Sequence, residues 1–209
     1  MDKAQSRFKM LKKHHNDTFE KARKDGKMDL EFIPICDFIA DLEDFFTSSC
    51  CAGRITLVGL DARETKKESA FHRKWHRKVT FAEVKDGIEK YTGEVLWLKQ
   101  EPLIFHIVAN SLDNAKKILN ASNNAGAKRS GINVAKEGKF LVEILGSHNI
   151  NLPVRENGKT MIDNDSLKYI IKKANEKFVK NQVALKKLGT ELKKELKKRN
   201  AQNQIKKTN

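Results

Sequence analysis

The order of elements predicted in the middle of the chain is the feature that most constrains its fold. Two short apolar runs, 95–99 and 103–109, are separated by Gln-Glu-Pro and have the composition of strands. A helix is predicted over 112–125, and the runs 132–135 and 140–145, joined by Lys-Glu-Gly-Lys, predict a β-hairpin. An order of strand, strand, helix, strand, strand predicts an α+β fold with a mainly antiparallel sheet.

Further elements are predicted before this region. Residues 4–25 are charged and favour a helix, and apolar residues three and four positions apart predict a second helix within 28–46, which completes an N-terminal helical pair. The aliphatic segment 54–60 predicts a strand. The sequence Thr-Phe-Ala-Glu at 80–83 is a capping box that starts another helix.

A long basic helix is predicted over about 164–199, followed by a flexible polar tail at 200–209. Residues 168–209 hold 14 Lys and Arg and three Glu, which accounts for +11 of the net charge of +15. Such a segment favours polyanions, and a solvated lysine-rich face is the alternative. Apolar residues recur every seven positions, so one helix face packs against the protein itself or a partner; these residues are Ile171, Phe178, Leu185 and Leu192. We expect a single domain over 1–199.

The cysteines and histidines bear on the compartment and on metal binding. Cys36, Cys50 and Cys51 are too few and too oddly placed for a disulfide framework, which favours the cytoplasm. No apolar run has the length of a signal-peptide core or a membrane span, so no membrane partner is expected. His72 and His76 have the spacing of two ligands on a helix face, but the glutamate of that zinc motif is missing, and no metal is expected.

Two segments concentrate small, hydroxyl-bearing and cationic residues. The first, Thr-Ser-Ser-Cys-Cys-Ala-Gly-Arg at 47–54, is predicted to be a loop whose Arg54 can bind a carboxylate or phosphate through two hydrogen bonds. The second is Ala-Lys-Arg-Ser-Gly at 127–131. Either segment could bind an anion or could simply turn the chain. His106 lies on a strand face with apolar neighbours, where a histidine is more often a core residue than a catalytic one.

The segment from His72 to Arg77 combines an aromatic ring with cations. Trp75 could stack on an RNA base beside His76 while Arg73 and Arg77 contact phosphates, or the tryptophan could be partly buried with solvated neighbours. The sequence has no Gly-x-Gly-x-x-Gly after its first strand and no Walker loop, which argues against a Rossmann-type cofactor site.

Three segments in chain order carry a resemblance to a known family. They are Gly-Lys-Met-Asp at 26–29 leading to the motif at 47–54; Trp-His at 75–76 with Trp97 and Glu-Pro-Leu-Ile-Phe-His-Ile-Val-Ala at 101–109; and the helix 112–125 running into Gly-Ala-Lys-Arg-Ser-Gly-Ile at 126–132. Together they resemble the methyltransferase family numbered third among the tRNA wybutosine-synthesizing proteins, over most of the chain. Where the family has Thr-Thr-Ser-Ser-Cys-Ser-Gly-Arg, this chain has Cys50 and Ala52, so hydroxyls are lost at those two positions.

The resemblance implies a fold that is not of Rossmann type and a methyl transfer from S-adenosyl-L-methionine (SAM). The implied acceptor is a ring nitrogen of the tricyclic 7-aminocarboxypropyl-demethylwyosine at position 37, in the anticodon loop of phenylalanine tRNA. An in-line attack on a sulfonium methyl chiefly requires alignment in a water-poor pocket. His106 or Asp29 could accept the proton that the acceptor nitrogen loses.

On this resemblance the remaining candidate residues fall into two groups. The expected pocket for SAM and the aminocarboxypropyl arm comprises Ser48, Ser49, Gly53, Arg54, Arg129, Ser130 and Gly131. The expected tRNA contacts are Arg73, Trp75, His76, Arg77, Lys193, Lys194, Lys197 and Lys198. Two alternatives stay open: a non-catalytic RNA-binding module, which would bind tRNA without SAM, and a thiol redox or zinc protein built on Cys50 and Cys51. The sequence leaves the oligomeric state open.

Overall fold

A computed structural model describes residues 3–63 and 70–205, with side chains up to Lys197. The described chain divides into two compact units. Unit 1 takes the described residues of Met1–Ala52, Leu103–Ser147 and Val183–Asn209, and unit 2 those of Gly53–Pro102 and His148–Gln182. The single domain over 1–199 stays a prediction.

Unit 1 is built on a four-stranded antiparallel sheet in the order β1-β5-β7-β6. Its strands are β1 (Phe45–Cys51), β5 (Ile104–Ala109), β6 (Gly131–Lys136) and β7 (Lys139–Leu145). Its helices α1 (Lys3–Lys24) and α2 (Ile33–Ala40) pack against β1, and α4 (Leu112–Asn124) packs against β5 and β7. Phe32, in a 3-10 turn before α2, and Phe105 are fully buried with ring centroids 4.8 Å apart, so an aromatic pair lies in this core.

Unit 2 is built on a five-stranded antiparallel sheet in the order β3-β2-β4-β8-β9. The strands are β2 (Arg54–Leu60), β3 (Ala70–Trp75), β4 (Val95–Glu101), β8 (Ile150–Glu156) and β9 (Lys159–Thr160), and α3 (Phe81–Glu89) packs against β2. The predicted capping box starts α3, since the Glu83 backbone N–H donates to the Thr80 hydroxyl at 3.3 Å and the Thr80 N–H donates to the Glu83 carboxylate at 2.8 Å. An aliphatic core, including Leu57, Leu96 and Leu98, fills the space beneath this sheet.

The C-terminal helix α5 (Asn164–Ile205) contributes to both units. Its predicted apolar stripe is buried along its length. Leu167, Ile171 and Phe178 join the core of unit 2, whereas Leu185 and Leu192 join that of unit 1. The stripe therefore packs within its own chain, which accounts for its seven-residue spacing without a partner helix.

The α+β class and the antiparallel pairing are confirmed, and the predictions for the second helix and the segment after it are wrong. The second helix ends at Ala40, and the predicted loop after it is largely strand β1. His72 and His76 do not share a helix face, because residues 70–75 form β3. The helix predicted over about 164–199 is α5, which the structure describes as far as Ile205, and the flexible tail at 200–209 stays a prediction. Within residues 3–63 and 70–205 no helix has the length and apolar composition that a membrane crossing needs.

Candidate active site

A β-bulge on the edge strand of unit 1 shapes the candidate site. Along β1, Thr47 pairs with Ile107 and Ser49 pairs with His106, so Ser48 is an extra residue on its strand. Ser48 thus has no partner on β5, whereas Ser49 is paired with His106. Bulges bend a strand and change the direction of its side chains, and they are common beside active sites.

Strand register places three candidate residues and one further residue, Glu143, in one row across the sheet of unit 1. Ser49 is paired with His106, His106 with Glu143, and Glu143 with Gly131. Directly opposed residues in antiparallel strands have neighbouring side chains. The pairing therefore brings together Ser49, His106 and Gly131, which are far apart in the sequence.

Hydrogen bonds connect three members of this row. The Ser49 Oγ and the His106 Nδ1 are 2.6 Å apart, and the His106 Nε2 and a Glu143 carboxylate oxygen are 2.8 Å apart. An ionised carboxylate can only accept, so the Nε2 of a neutral His106 carries the proton and its Nδ1 accepts from the serine hydroxyl. The hydrogen bond from His106 holds the pKa of Glu143 below its usual value, and Asn133 adds a second hydrogen bond to that carboxylate. The ring is thus held in one orientation, with its basic nitrogen toward Ser49.

A cavity of about 200 Å³ lies between α1 and β1. It is lined by His15, Thr18, Phe19, Ala22, Lys27, Met28, Thr47, Ser48, Ser49 and Cys50. The His15 ring stacks on Phe46 with centroids 5.0 Å apart, and partial burial lowers the pKa of this histidine. Apolar atoms, hydroxyls and one ammonium group therefore surround a single cavity that both predicted serines line.

Asp29 has a structural contact at the end of β1. Its carboxylate accepts a hydrogen bond of 2.7 Å from the backbone N–H of Ala52. This bond connects the segment before α2 to the end of β1. The aspartate therefore supports the position of β1, and its accepting oxygen faces a backbone donor.

The cysteines are free thiols, two of which interact. Cys36 is buried in the core of unit 1, and a hydrogen bond to Cys50, together with burial, raises its pKa. The same hydrogen bond lowers the pKa of Cys50, which lines the cavity. At position 50, where the related family motif has serine, this chain thus has a cysteine whose thiol interacts with Cys36.

The segment 127–131 leads into the same sheet. The Ser130 hydroxyl donates to the Ala127 carbonyl at 2.6 Å, so this serine stabilises the turn. Gly131 begins β6 opposite Glu143. Arg129 is exposed, and within residues 3–63 and 70–197 no carboxylate pairs with it. Arg129 can therefore offer its guanidinium to an anion, as the exposed Lys128 beside it can offer its ammonium group.

The two remaining pocket candidates, Gly53 and Arg54, belong to unit 2. Gly53 has a φ of +96°, a conformation that L side chains rarely adopt. The Arg54 guanidinium pairs with the Glu101 carboxylate and lies 4.6 Å from the centroid of the Phe71 ring. Because its guanidinium is already paired with Glu101, Arg54 can bind an anionic ligand through the same nitrogen atoms only after that ion pair breaks.

The residues predicted to contact RNA differ in their exposure and in the partners that they already have within the protein. Trp75 is half-buried and packs against the core of unit 2, which matches the alternative weighed from the sequence. Arg73 donates to the His72 carbonyl, and the exposed Arg77 forms a two-bond pair with Glu83, at 2.7 and 3.4 Å. His76 is exposed.

On α5, Lys193, Lys194 and Lys197 are exposed, and the ammonium group of Lys197 lies 5.9 Å from the ring centroid of Phe38. The side chain of Lys198 lies outside the described residues.

Sequence reasoning missed Glu143. Its signal was present, because an acidic residue interrupts the apolar run Lys-Phe-Leu-Val-Glu-Ile-Leu of β7. A carboxylate inside a half-buried strand needs a partner. The identity of that partner depends on strand register, which the sequence does not display.

Comparisons with known proteins agree with this architecture. The profile of a family described as Methyltransferase TYW3 matches residues 5–194. A protein of Archaeoglobus fulgidus named tRNA(Phe) 7-((3-amino-3-carboxypropyl)-4-demethylwyosine(37)-N(4))-methyltransferase is 35% identical over 178 residues, covering 85% of this chain and 89% of the relative. A protein of the same name from Thermococcus sibiricus is 30% identical, over 90% of this chain and 95% of the relative.

Solved structures give the same result. The PH1069 protein from Pyrococcus horikoshii superposes with a TM-score of 0.84 at 29% identity, over 90% of this chain and 97% of that one. A hypothetical protein from Aeropyrum pernix superposes with a TM-score of 0.70 at 26% identity, over 80% of this chain and 98% of that one. The resemblance seen in the sequence is confirmed, and the chain belongs to the methyltransferase TYW3 family.

Proposed function

We propose that this protein transfers a methyl group from SAM to a ring nitrogen of 7-aminocarboxypropyl-demethylwyosine at position 37 of phenylalanine tRNA. The family and the names of its relatives supply the reaction class and the substrate. The observation that carries the proposal is the hydrogen-bonded row of Ser49, His106 and Glu143 beside the serine-lined cavity. The anticodon loop and a cytoplasmic location remain parts of the proposal.

The cavity suits a sulfonium donor of this kind. Its apolar lining fits aliphatic and sulfonium carbon atoms, and its hydroxyls can hydrogen-bond an amino-acid moiety. The unpaired Arg129 is the first candidate for the donor's carboxylate, and Lys27 in the cavity, whose ammonium group already pairs with Asp25 at 3.0 Å, is the second. When bound, SAM supplies an electrophilic methyl carbon whose bond to sulfur breaks as the bond to the acceptor nitrogen forms.

The protein's own contribution is to hold the reactants in line and to take a proton from the acceptor nitrogen. Ser49 can pass that proton to the His106 Nδ1, which already accepts from the serine hydroxyl. The Glu143 carboxylate then stabilises the imidazolium. We assign the proton acceptor to His106 rather than Asp29, because the aspartate carboxylate is engaged with the Ala52 backbone.

The exposed lysines at 193, 194 and 197 are the proposed contacts of α5 with the tRNA backbone. Such contacts position an RNA, and the modified base provides the specificity. In unit 2, His76 and the arginines at 73 and 77 are weaker candidates, since both arginines already have partners within the protein. Trp75 would contact RNA with its exposed edge.

The test is transfer of labelled methyl from SAM to phenylalanine tRNA isolated from cells that lack this protein. We expect incorporation at position 37, and a loss of at least about tenfold, or about 1.4 kcal/mol of barrier, in Arg129→Ala. Arg54→Ala is a useful second variant, because a smaller loss there is expected from its pairing with Glu101. No incorporation, with tRNA bound tightly and SAM not bound, would instead support a non-catalytic RNA-binding module.

A further inference from the structure

Unit 2 has a groove that the proposed reaction does not use. It has a volume of about 800 Å³ and runs between α5 and the segment that leads into α3. We call it the lysine groove; it is lined by Lys78, Val79, Phe81, Lys168, Ile171, Lys172, Asn175, Glu176, Val179 and Lys180. All ten residues belong to unit 2.

The charge of the lysine groove is unbalanced. Its lining holds four lysines and one acidic residue, Glu176, whose carboxylate is already bound by Lys173 at 2.8 Å. Lys168 pairs with Asp165 at 3.0 Å. The other three lysines, Lys78, Lys172 and Lys180, are exposed, and within residues 3–63 and 70–197 no carboxylate lies at ion-pair distance from them. Like charges held close together repel, so this arrangement favours an anionic ligand.

The walls of the groove are fixed to each other. The Asn175 side chain accepts from the backbone N–H of Val79 at 2.9 Å and donates to the Val79 carbonyl at 2.8 Å. Phe81 is near two cations, since the ammonium groups of Lys85 and Lys168 lie 5.8 and 5.6 Å from its ring centroid. A groove held in this way loses little entropy when a ligand enters.

The spacing of the cations points to a polymer rather than a single anion. Lys168, Lys172 and Lys180 follow one another along α5, and the rise of an α-helix separates them by about 6 Å and about 12 Å along its axis. A single carboxylate or phosphate cannot meet all three. A chain of phosphates can, and each phosphate neutralised would release condensed counterions.

We propose that the lysine groove binds the sugar-phosphate backbone of the tRNA substrate, an inference that rests on the proposed function. The groove holds the RNA on unit 2 through its phosphates and contributes to affinity, not to the chemical step. Its contacts are independent of base sequence.

The experiment replaces Lys78, Lys172 and Lys180 with Gln in the full chain and measures affinity for phenylalanine tRNA by fluorescence anisotropy at several salt concentrations. The control carries Lys116→Gln, Lys136→Gln and Lys159→Gln, three exposed lysines outside the groove with the same change in charge. We expect affinity to fall at least about tenfold in the groove variant, with a salt slope smaller by about two to three, as loss of three phosphate contacts requires. Thermal unfolding of both variants would show that each is folded.

The kinetic readout separates docking from chemistry. We expect the groove variant to keep its kcat at saturating tRNA and to lose kcat/KM by the same factor as affinity. Equal losses in the control variant would overturn the proposal, because net charge and not the groove would then set affinity. Unchanged tRNA affinity in the groove variant would overturn it as well. The same holds if that variant keeps its tRNA affinity but no longer binds vesicles of anionic lipid.

Failure of the groove can be told apart from failure of the proposed function. If the wild type methylates tRNA and the groove variant binds tRNA normally, the groove assignment is wrong and the proposed function stands. If the wild type binds tRNA through the groove but transfers no methyl group from SAM, the groove assignment stands and the proposed function is wrong.

Discussion

The polar side chains of the two sheets have different kinds of partner. In unit 2 two arginines near the sheet are paired with carboxylates, Arg54 with Glu101 and Arg77 with Glu83. In unit 1 the row that ends at Ser49 stops at an exposed hydroxyl beside a cavity. A pair of opposite charges stabilises the local structure. A histidine that is hydrogen-bonded to a hydroxyl beside a cavity can, in addition, accept a proton from a ligand there. On the proposed function, the contrast favours unit 1 as the place of the chemical step.

Two strand histidines make the same comparison residue by residue. His106 on β5 is held between a hydroxyl and a carboxylate. His72 on β3 has its Nε2 at 2.9 Å from the Gly87 carbonyl and its ring edge-on to Tyr91. The first arrangement leaves a basic nitrogen toward a cavity residue, and the second joins a strand to a helix.

The largest expected effect is the loss of His106. His106→Ala should lower kcat by about a hundredfold or more, because general base catalysis contributes rate factors of this size. The matched change His72→Ala removes a hydrogen bond within unit 2, so we expect it to lower the free energy of unfolding by about 1 to 3 kcal/mol with kcat preserved. Single-turnover methyl transfer and denaturant unfolding on both variants measure the two effects.

A similar loss of kcat in both histidine variants would break the comparison, since the rate would then follow stability and not the site. A His106→Ala protein with normal kcat would remove the proton acceptor from the mechanism.

A smaller effect is expected from Glu143→Gln. The amide can donate as well as accept, so it no longer fixes which nitrogen of His106 carries the proton, and its charge is lost. We expect kcat to fall by about ten- to a hundredfold. Nitrogen NMR of the imidazole should show the Nε2–H form in the wild type and a loss of that form in the variant. Glu137→Gln, an exposed change in the turn of the same hairpin, is the control and should leave both readouts unaltered.

The smallest effect concerns the paired charges of unit 2. Hydrogen bonds from Arg77 and Thr80 hold the pKa of Glu83 at about 2, against a usual value of 4.5. Because this folded-state pKa is lowered, ionised Glu83 stabilises the protein above pH 4.5, and that contribution is lost as the pH falls from 4.5 toward 2. Denaturant unfolding should therefore show a shallower acid decline for Glu83→Gln than for the wild type. Parallel curves would show that this carboxylate has no role in acid stability.

The sequence predicted the elements that have a strong local signal. The hairpin of β6 and β7 and the capped helices α3 and α4 are confirmed, because turn and cap residues act within a few positions. Strand β1 was missed because Phe45 and Phe46 continue the three- and four-residue spacing of the helix before them. Strand β3 was missed because its sequence, Ala-Phe-His-Arg-Lys-Trp, has no β-branched residue and lies at an exposed sheet edge.

The candidate site was predictable in its composition but not in its geometry. Ser49 and His106 were named from motifs, yet their contact arises from pairing across 57 positions. Arg54 has the residue type that binds carboxylates, but its pairing with Glu101 depends on β2 lying beside β4. Long-range register decides which polar groups meet, and a single sequence carries little information about it.

The bulge at Ser48 affects both the regularity of β1 and the lining of the cavity. In a regular strand consecutive side chains point to opposite faces, so at most one of two neighbouring serines would face the cavity. The extra residue interrupts the ladder, and both Ser48 and Ser49 line the cavity. A strand without this residue would keep a regular ladder, whereas the bulged strand gives the cavity two hydroxyl groups. A regular sheet edge and a polar cavity lining therefore favour different sequences at this position.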